Sequence, residues 1–216
     1  MIVELSHRIA DGLITYPGIP APSIGDHLSR EASKQVYAPG TEFQIGTITL
    51  AANTGTYLDT PFHRYPDGQD LAAFPLERMA DLPGLVVRAQ GVPSIGVELL
   101  KAHEVYGRAV LLHTGWSRHF GTEQYFSGHP YLEPEAAAWL VEQGAALVGI
   151  DSLNMDATPP RGERPAHTLL LAAGIPLVEH LTGLEALPED GFRFHAAPPM
   201  IAGMGTFPVR AYAITG

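Results

Sequence analysis

The sequence of 216 residues contains no cysteine, which excludes a disulfide scaffold, a thiolate zinc site and a cysteine nucleophile. Positive charge is also scarce, because 13 Lys and Arg stand against 23 Asp and Glu and leave a net charge of −10. Nucleic acid is therefore not expected as a partner, since phosphate binding needs a basic surface. Ten histidines without any cysteine leave histidine and carboxylates as the natural metal ligands.

Long apolar runs are missing too, and none approaches the roughly 18 residues that a membrane-spanning helix needs. The first residues, MIVELSH, lack the basic segment and the apolar core of a signal peptide. We therefore expect a cytoplasmic protein that acts on a small molecule and has no membrane contact. The length fits one domain, which we expect to cover residues 1–216.

Short runs rich in Val, Ile and Leu predict strands, and 19 Pro and 23 Gly separate them with turns. The predicted strands are 41–52, 84–89, 109–113, 145–150, 175–178 and 207–214. Helices are predicted at 97–104, from Pro134 to a stop at Gly144, and at 165–173. Because strands and helices alternate in the C-terminal half, the pattern predicts an α/β domain with a mixed sheet flanked by helices.

The densest polar cluster is the segment 53–63, NTGTYLDTPFH, directly after a predicted strand. Alternate residues of a strand share a face, so Asn53, Tyr57, Asp59 and, if the chain stays extended, His63 would line one side. An Asp and a His on one face can hold a metal or act as an acid–base pair. The same residue types are also common in turns, and Asp-x-Pro can form an Asx turn.

A second cluster combines His167, near the start of a predicted helix, with Glu179, at the end of the next strand. If that strand runs back beside the helix, Glu179 comes near His167, and the two form a His–carboxylate metal site with Asp59. His167 alone could equally be a capping or solvated helix residue. Glu179 follows an apolar run, so we expect it to be buried and to need a cation or hydrogen-bond donors.

The segment 53–63 resembles the signature H-x-G-T-H-x-D-x-P-x-H of the cyclase-like metal hydrolases, which include bacterial kynurenine formamidase (arylformamidase) and isatin hydrolase. The resemblance extends over almost the whole chain, through LSH at 5–7, YPG at 16–18, TGW at 114–116, GIDS at 149–152, HTLL at 167–170, IPLVE at 175–179 and PVRA at 208–211. It implies a swivelling β/β/α fold, a metal-activated water that hydrolyses a small amide or lactam, and a homodimer or homotetramer.

The resemblance also implies roles for individual residues. In the family pattern, the two histidines before the Asp bind one metal, and the Asp bridges to a second metal that a distant His and Glu also hold. Carried over by position, the metal ligands are Asp59, His167 and Glu179, and His63 is the acid–base residue. Tyr16 stands where the family has an aromatic residue that packs on the substrate.

The chain departs from the family pattern at the first two signature positions, which are Asn53 and Tyr57. Asparagine offers only a neutral oxygen, and tyrosine must lose a proton whose reference pKa is about 10, so neither is a good zinc ligand. We therefore expect one divalent metal, zinc or manganese, with an open position for water or substrate, and a weak or missing second site. Tyr57 could instead donate a hydrogen bond to substrate or to a developing oxyanion.

Three functions fit these observations. The leading one is metal-dependent hydrolysis of a small amide, lactam or lactone, of which the conversion of N-formylkynurenine to kynurenine in tryptophan catabolism is the family's best-known example. The second is a paralogue that binds a small molecule without hydrolysing it. The third is a dehydratase or cyclase with His63 and Tyr57 as its acid–base pair.

Histidines without spaced partners, His129 and His180 among them, are expected at the surface.

Overall fold

The computed structural model describes residues 1–216. The strands are β1 (Ile2–Glu4), β2 (Ser23–Leu28), β3 (Ile45–Thr49), β4 (Tyr57–Asp59), β5 (Leu82–Arg88), β6 (Ser94–Ile95), β7 (Ala109–His113), β8 (Tyr131–Leu132), β9 (Leu147–Ile150), β10 (Leu177–Glu179), β11 (Phe192–His195), β12 (Thr206–Pro208) and β13 (Tyr212–Thr215). The helices are α1 (Arg30–Ser33), α2 (Val97–Leu100), α3 (Pro134–Glu142) and α4 (Pro165–Ala172). No helix has the length and apolar character needed to span a membrane.

Nine strands form one mixed sheet in the order β1–β13–β11–β5–β7–β9–β10–β4–β12. Its centre, from β5 to β10, is parallel, whereas the strands on both sides of this centre pair in antiparallel fashion. Parallel neighbours need crossover connections, and the three crossovers carry α2, α3 and α4. This is the α/β arrangement that the alternation of strands and helices predicts.

The central parallel strands are buried on both faces, as their continuous apolar runs require. Successive residues of β5 alternate between two cores, because Leu85 packs into the core under α3 and α4 while Val86 packs into the core on the opposite face. Leu140 of α3 and Leu170 of α4 belong to the same core as Leu85. The two cores hold the sheet rigid, and the functional side chains project from the ends of its strands.

The ends of α3 follow the predicted signals, with Pro134 in its first turn and Gly144 in a left-handed conformation (φ 73°) just beyond it. Three predicted elements differ from the structure, and two of them lie in the main body of the protein. The helix predicted at 97–104 is only Val97–Leu100 and continues as turns. The strand predicted at 207–214 is two strands, because the chain changes its pairing partner from β4 to β1 between Pro208 and Tyr212.

The strand predicted at 41–52 is shorter, Ile45–Thr49, and lies outside the main sheet. It pairs with β2 in a separate two-stranded ribbon, which we call the N-terminal arm (residues 23–28 and 45–49). Every residue of β3 is exposed, and Ile24 lies directly opposite Ile48. The arm therefore contributes little to the cores of its own chain.

Candidate metal centre

Strand β4 brings two polar residues into the interior of the sheet, between β10 and β12. Tyr57 lies directly opposite Glu179 in the pairing with β10, and Asp59 lies directly opposite Thr206 in the pairing with β12. Because residues two apart share one face of a strand, Tyr57 and Asp59 point to the same side. All four side chains are at most 3% exposed, so the cluster is fully desolvated.

The chain does not remain extended as far as His63, so the condition under which His63 would share the strand face of Asp59 is not met. Pro61 begins a 3-10 turn, Pro61–His63, since its fixed φ suits the first position of a helical turn. The turn carries His63 back over the end of β4, where its Nδ1 lies 3.6 Å from Asp59 Oδ1. The His63 side chain is about one-third exposed, in contrast to the buried Asp59.

His167 lies in the first turn of α4, and Asp156, in the loop after β9, holds it in place. Asp156 accepts hydrogen bonds from the backbone amides of Ala166 and His167, which are among the unpaired donors of a helix start. The same carboxylate contacts His167 Nδ1 at 2.6 Å. A carboxylate on one imidazole nitrogen is the usual way to orient the other nitrogen toward a metal.

The free nitrogen of His167 faces two carboxylates. His167 Nε2 lies 3.8 Å from Asp59 Oδ2 and 3.6 Å from Glu179 Oε1. Glu179 reaches it because β10 runs back beside α4, as the spacing of the two residues predicts. Ligand atoms of Asp59, His63 and His167 also lie within 4.8 Å of one another, and Glu179 adjoins this group through its contact with His167.

One oxygen of this cluster has no hydrogen-bond partner. Asp59 Oδ1 accepts from the Thr206 hydroxyl, but Asp59 Oδ2 is buried and unpaired. A buried charged oxygen without a donor is costly unless a cation compensates it. Imidazole and carboxylate donors are ligands that zinc and manganese accept, so the residues present fit a divalent ion.

The pKa shifts of the cluster without a metal indicate that a positive charge stabilises its buried carboxylates. Burial would lower the pKa of His167, but the charge of Glu179 and the hydrogen bond to Asp156 outweigh it and raise the pKa to about 10. Burial would raise the pKa of Asp59, yet the charges of His63 and His167 lower it overall. For Glu179, burial prevails and raises the pKa. Without a metal, a protonated His167 therefore neutralises the carboxylates.

Tyr57 is a hydrogen-bond donor within this cluster. Its hydroxyl donates to Glu179 Oε2 over 2.6 Å, and the side chain is 2% exposed. Burial and the neighbouring charge of Glu179 raise the pKa of Tyr57 well above 10, while an interaction with the half-buried Asn53 side chain opposes the rise. The single hydroxyl hydrogen is engaged by Glu179 in this structure, and the two roles predicted for Tyr57, donation to a substrate and an acid–base pair with His63, stay predictions.

A cavity of about 310 Å³ opens beside the cluster, and it is lined by His63, Arg64, Asn154, Gly162, Glu163, Arg164 and His167. Tyr16 lies in the N-terminal segment, where burial and the charge of Glu179 raise its pKa. A larger cavity of about 550 Å³ lies between residues 4–9 and 208–210, but no cluster of metal-ligating side chains lines it. The chemistry therefore identifies the smaller cavity as the candidate substrate site.

Two expectations about histidine fail. His129 and His180 are buried, with 7% and 0% exposure, although a surface position was expected for both. His180 directly follows β10, and its Nδ1 contacts the hydroxyl of Tyr125 at 2.8 Å. Burial lowers the pKa of His180 to about 3, so the ring is neutral. His129 contacts Thr158 at 3.0 Å, and nothing in the local sequence indicated either contact.

Thr206 is the residue of the site that sequence reasoning missed. It lies 147 positions after Asp59, just before a run predicted only as a strand, and no local pattern sets it apart. Asp156 carried a weak signal, since it follows a buried strand in the half of the chain where strands and helices alternate.

These observations define an α/β protein with a buried His–carboxylate cluster that could hold a metal ion. The family model described as "Putative cyclase" matches residues 3–157, and the chain belongs to this family. The chain is 27% identical over 210 residues to kynurenine formamidase from Bacillus cereus, which covers 97% of this chain and 95% of that protein. Kynurenine formamidase from Geobacillus thermodenitrificans is 26% identical over 211 residues, 97% of this chain and 95% of that protein.

Solved structures share the fold at lower identity. Isatin hydrolase A from Ralstonia solanacearum superposes with a TM-score of 0.83 at 23% identity, over all of this chain and 92% of that chain. A structure described as a potential metal-dependent hydrolase with cyclase activity gives a TM-score of 0.80 at 22% identity, over 99% and 96% of the two chains. The predicted α/β fold with a mixed sheet and the predicted family are confirmed, and the chain is a relative of cyclase-like hydrolases.

Proposed function

We propose that this protein is a metal-dependent hydrolase of a small amide, lactam or lactone, with arylformamidase-like chemistry. The observation that carries the proposal is the unpaired, buried Asp59 Oδ2 facing His167 Nε2, with the partly exposed His63 beside it. The names of the relatives, kynurenine formamidase and isatin hydrolase, support cleavage of a carbonyl–nitrogen bond.

Asp59, His167 and Glu179 would hold one divalent ion, zinc or manganese. When bound, such an ion supplies Lewis acidity, which polarises a carbonyl and acidifies water. The second ion of the family pattern has no comparable support, because Tyr57 donates its hydroxyl hydrogen to Glu179 and Asn53 offers only an amide. Asp156 fixes the orientation of His167, and therefore belongs to the site although it does not reach the centre.

His63 performs the proton transfers of the proposed reaction. It takes a proton from the attacking water as the carbonyl carbon is attacked, and it returns a proton to the departing nitrogen or oxygen as that bond breaks. Water is thus divided between a carboxylate product and an amine or alcohol. The partial exposure of His63 at the rim of the cavity gives it access to both groups.

The cavity restricts the substrate to a small molecule, since about 310 Å³ is near the lower end of the usual range for ligand pockets. Arg64 and Arg164 lie on its rim. The NH1 group of Arg164 is engaged by the carbonyls of Ala157 and Glu163, whereas Arg64 makes only a long hydrogen bond to Thr168 and lies over the ring of Tyr65. Arg64 is therefore the residue that would attract a carboxylate on the substrate.

The test is metal analysis combined with turnover of N-formylkynurenine and isatin. We expect about one equivalent of zinc or manganese per chain and hydrolysis of at least one substrate. Asp59→Asn should lose both the metal and turnover. His63→Gln should keep the metal and lose turnover by about 10²-fold or more, because it removes only proton transfer. His103→Gln is the control, because His103 contacts Glu189 and belongs neither to the cluster nor to the cavity lining. This variant should change neither the metal content nor turnover.

Full turnover by metal-stripped protein would contradict the proposal, and so would a His63→Gln variant without metal. A protein that binds a substrate analogue and one metal but releases no product would be a binding paralogue.

We propose further that the N-terminal arm packs against a second copy of this chain in a homodimer or homotetramer. A two-stranded ribbon is only marginally stable alone in water. On one side of the ribbon, Ile24 and Ile48 lie opposite each other and are 47% and 53% exposed, so one chain leaves this apolar pair uncovered. In a symmetric assembly, the same arm of a second copy would offer a matching apolar surface.

A further inference from the structure

The hydroxyl of Thr206 contacts two residues of the proposed centre at once. Its Oγ1 bonds to Asp59 Oδ1 and lies 2.7 Å from His63 Nδ1. Thr206 is 3% exposed, so water does not compete for these contacts. The hydroxyl is therefore a bridge between a buried carboxylate and the imidazole to which we assign proton transfer.

The directions of the two hydrogen bonds follow from the number of hydrogens available. A hydroxyl carries one hydrogen, and an ionised carboxylate can only accept. As a metal ligand, Asp59 has to be ionised. Thr206 must therefore donate to Asp59, which leaves its oxygen to accept from His63 Nδ1–H.

We propose that Thr206 is a positioning residue that fixes neutral His63 in the Nδ1–H tautomer and leaves the lone pair of Nε2 free to accept a proton. This inference rests on the proposed function, since it specifies which nitrogen performs proton transfer. The arrangement resembles in principle the way a carboxylate sets the tautomer of a catalytic histidine, with a hydroxyl inserted between the two groups.

The local backbone is built to keep this contact. Thr206 lies directly opposite Asp59 in the pairing of β12 with β4, and Gly205 precedes it. A Cβ atom at Gly205 would overlap the backbone nitrogen of His63, so only glycine permits the turn at His63 to approach so closely. The amide of Thr60 also donates to the Gly205 carbonyl over 2.7 Å, which ties the turn to β12.

The tautomer also prevents His63 Nδ1 from acting as a metal ligand. His63 Nδ1 is 3.6 Å from Asp59 Oδ1, close enough for His63 to be counted with Asp59 and His167 as a possible ligand. A nitrogen that carries hydrogen has no lone pair for a metal. Thr206 thus directs Nδ1 to hydrogen bonding, while Asp59 Oδ2 stays free on the side of His167.

The experiment is ¹⁵N NMR of the full-length protein with labelled histidine, metal-free and zinc-loaded, at about two pH units above the reference histidine pKa of about 6.5. The His63 signals are assigned by their loss in His63→Gln. We expect the wild type to show protonated Nδ1 and unprotonated Nε2. Thr206→Val should reduce the ratio of the Nδ1–H to the Nε2–H tautomer by about tenfold, the effect of one hydrogen bond, and Thr206→Ser should restore it.

Turnover provides the second readout, with kcat of Thr206→Val about tenfold lower, KM and metal content unchanged, and kcat recovered in Thr206→Ser. A wild-type protein with hydrogen on Nε2 overturns the proposal, even if no hydroxyl-free variant folds. An unchanged tautomer in Thr206→Val overturns it equally. Failure to hydrolyse any substrate would instead contradict the proposed function, because the tautomer is measured without substrate.

Discussion

Replacing Tyr57 with phenylalanine removes one hydroxyl from the centre of the protein and leaves the ring in place. The hydroxyl donates to Glu179 Oε2 over 2.6 Å, and the other oxygen of Glu179 accepts from the Met155 amide. Both side chains are buried, with 2% exposure for Tyr57 and 0% for Glu179. The variant therefore leaves one oxygen of a buried carboxylate without a donor.

The expected loss of stability follows from the charge of the acceptor. Hydrogen bonds to charged groups contribute about 1.5–3 kcal/mol, so we expect the free energy of unfolding to fall by about 2 kcal/mol. For a chain of this length, the corresponding decrease in Tm is roughly 4–8 °C. The pKa of Glu179 should rise further, since the Tyr57 hydrogen bond is one of the interactions that lower it.

Tyr125 provides a matched control, because it is fully buried and its hydroxyl contacts His180 Nδ1 at 2.8 Å. Burial lowers the pKa of His180 to about 3, so this hydrogen bond joins two neutral groups at pH 7. Tyr125→Phe should therefore cost only about 1 kcal/mol. Urea unfolding of the metal-free wild type and both variants at pH 7, followed by circular dichroism, measures the difference.

The reasoning is refuted if Tyr57→Phe costs no more than Tyr125→Phe. A Tyr57→Phe variant that keeps its stability but loses turnover would also refute the reasoning. That result would support Tyr57 as an acid–base partner of His63, as in the dehydratase or cyclase alternative.

Three other measurements test separate parts of the interpretation. Changing both Asn53 and Tyr57 to histidine restores the two missing ligands of the family signature, so bound metal should rise from one to two equivalents per chain in elemental analysis; one equivalent would show that these positions do not suffice for a second site. Burial lowers the pKa of His7 to about 4, whereas an unfolded chain protonates histidine near 6.5. The contribution of neutral His7 to the free energy of unfolding is complete above about pH 6.5 and is lost as the pH falls toward 4. The loss is about 2 kcal/mol once the partial exposure of His7 is allowed for. His7→Phe should flatten this part of a urea-stability profile, and an identical profile would assign the acid sensitivity to other groups. Ile48→Lys should reduce the mass found by light scattering to that of a 23.2 kDa monomer, and a wild type that is already monomeric would exclude the arm as an interface.

Local signals explain what could be predicted from the sequence. A proline at a helix start and a glycine beyond its end act within one turn, so the limits of α3 were predictable. The approach of Glu179 to His167 was also predictable, because only a short turn separates α4 from the strand that returns beside it. The buried strands at the parallel centre of the sheet were predictable as well, because each of them is a continuous apolar run in the sequence.

Contacts between segments that are distant along the chain could not be predicted from such local signals. The turn at Pro61 reverses the direction of His63, and a pattern of alternate residues cannot register such a reversal. Thr206 meets Asp59 only because β12 pairs with β4 across 147 positions. The burial of His180 depends on the segment that carries Tyr125, which is 55 residues away.

The hydrogen bonds of the two buried carboxylates give an argument for a single metal that is independent of the missing histidines. Glu179 Oε2 accepts from Tyr57, Glu179 Oε1 accepts from the Met155 amide, and Asp59 Oδ1 accepts from Thr206. Asp59 Oδ2 alone has no donor, and it faces His167 Nε2. Each of the three paired oxygens keeps a second lone pair, but only Asp59 Oδ2 lacks any partner that compensates its charge, and it therefore marks one position for a cation. Tyr57 therefore does more than fail to bind a metal, since its hydroxyl already compensates part of the negative charge of Glu179.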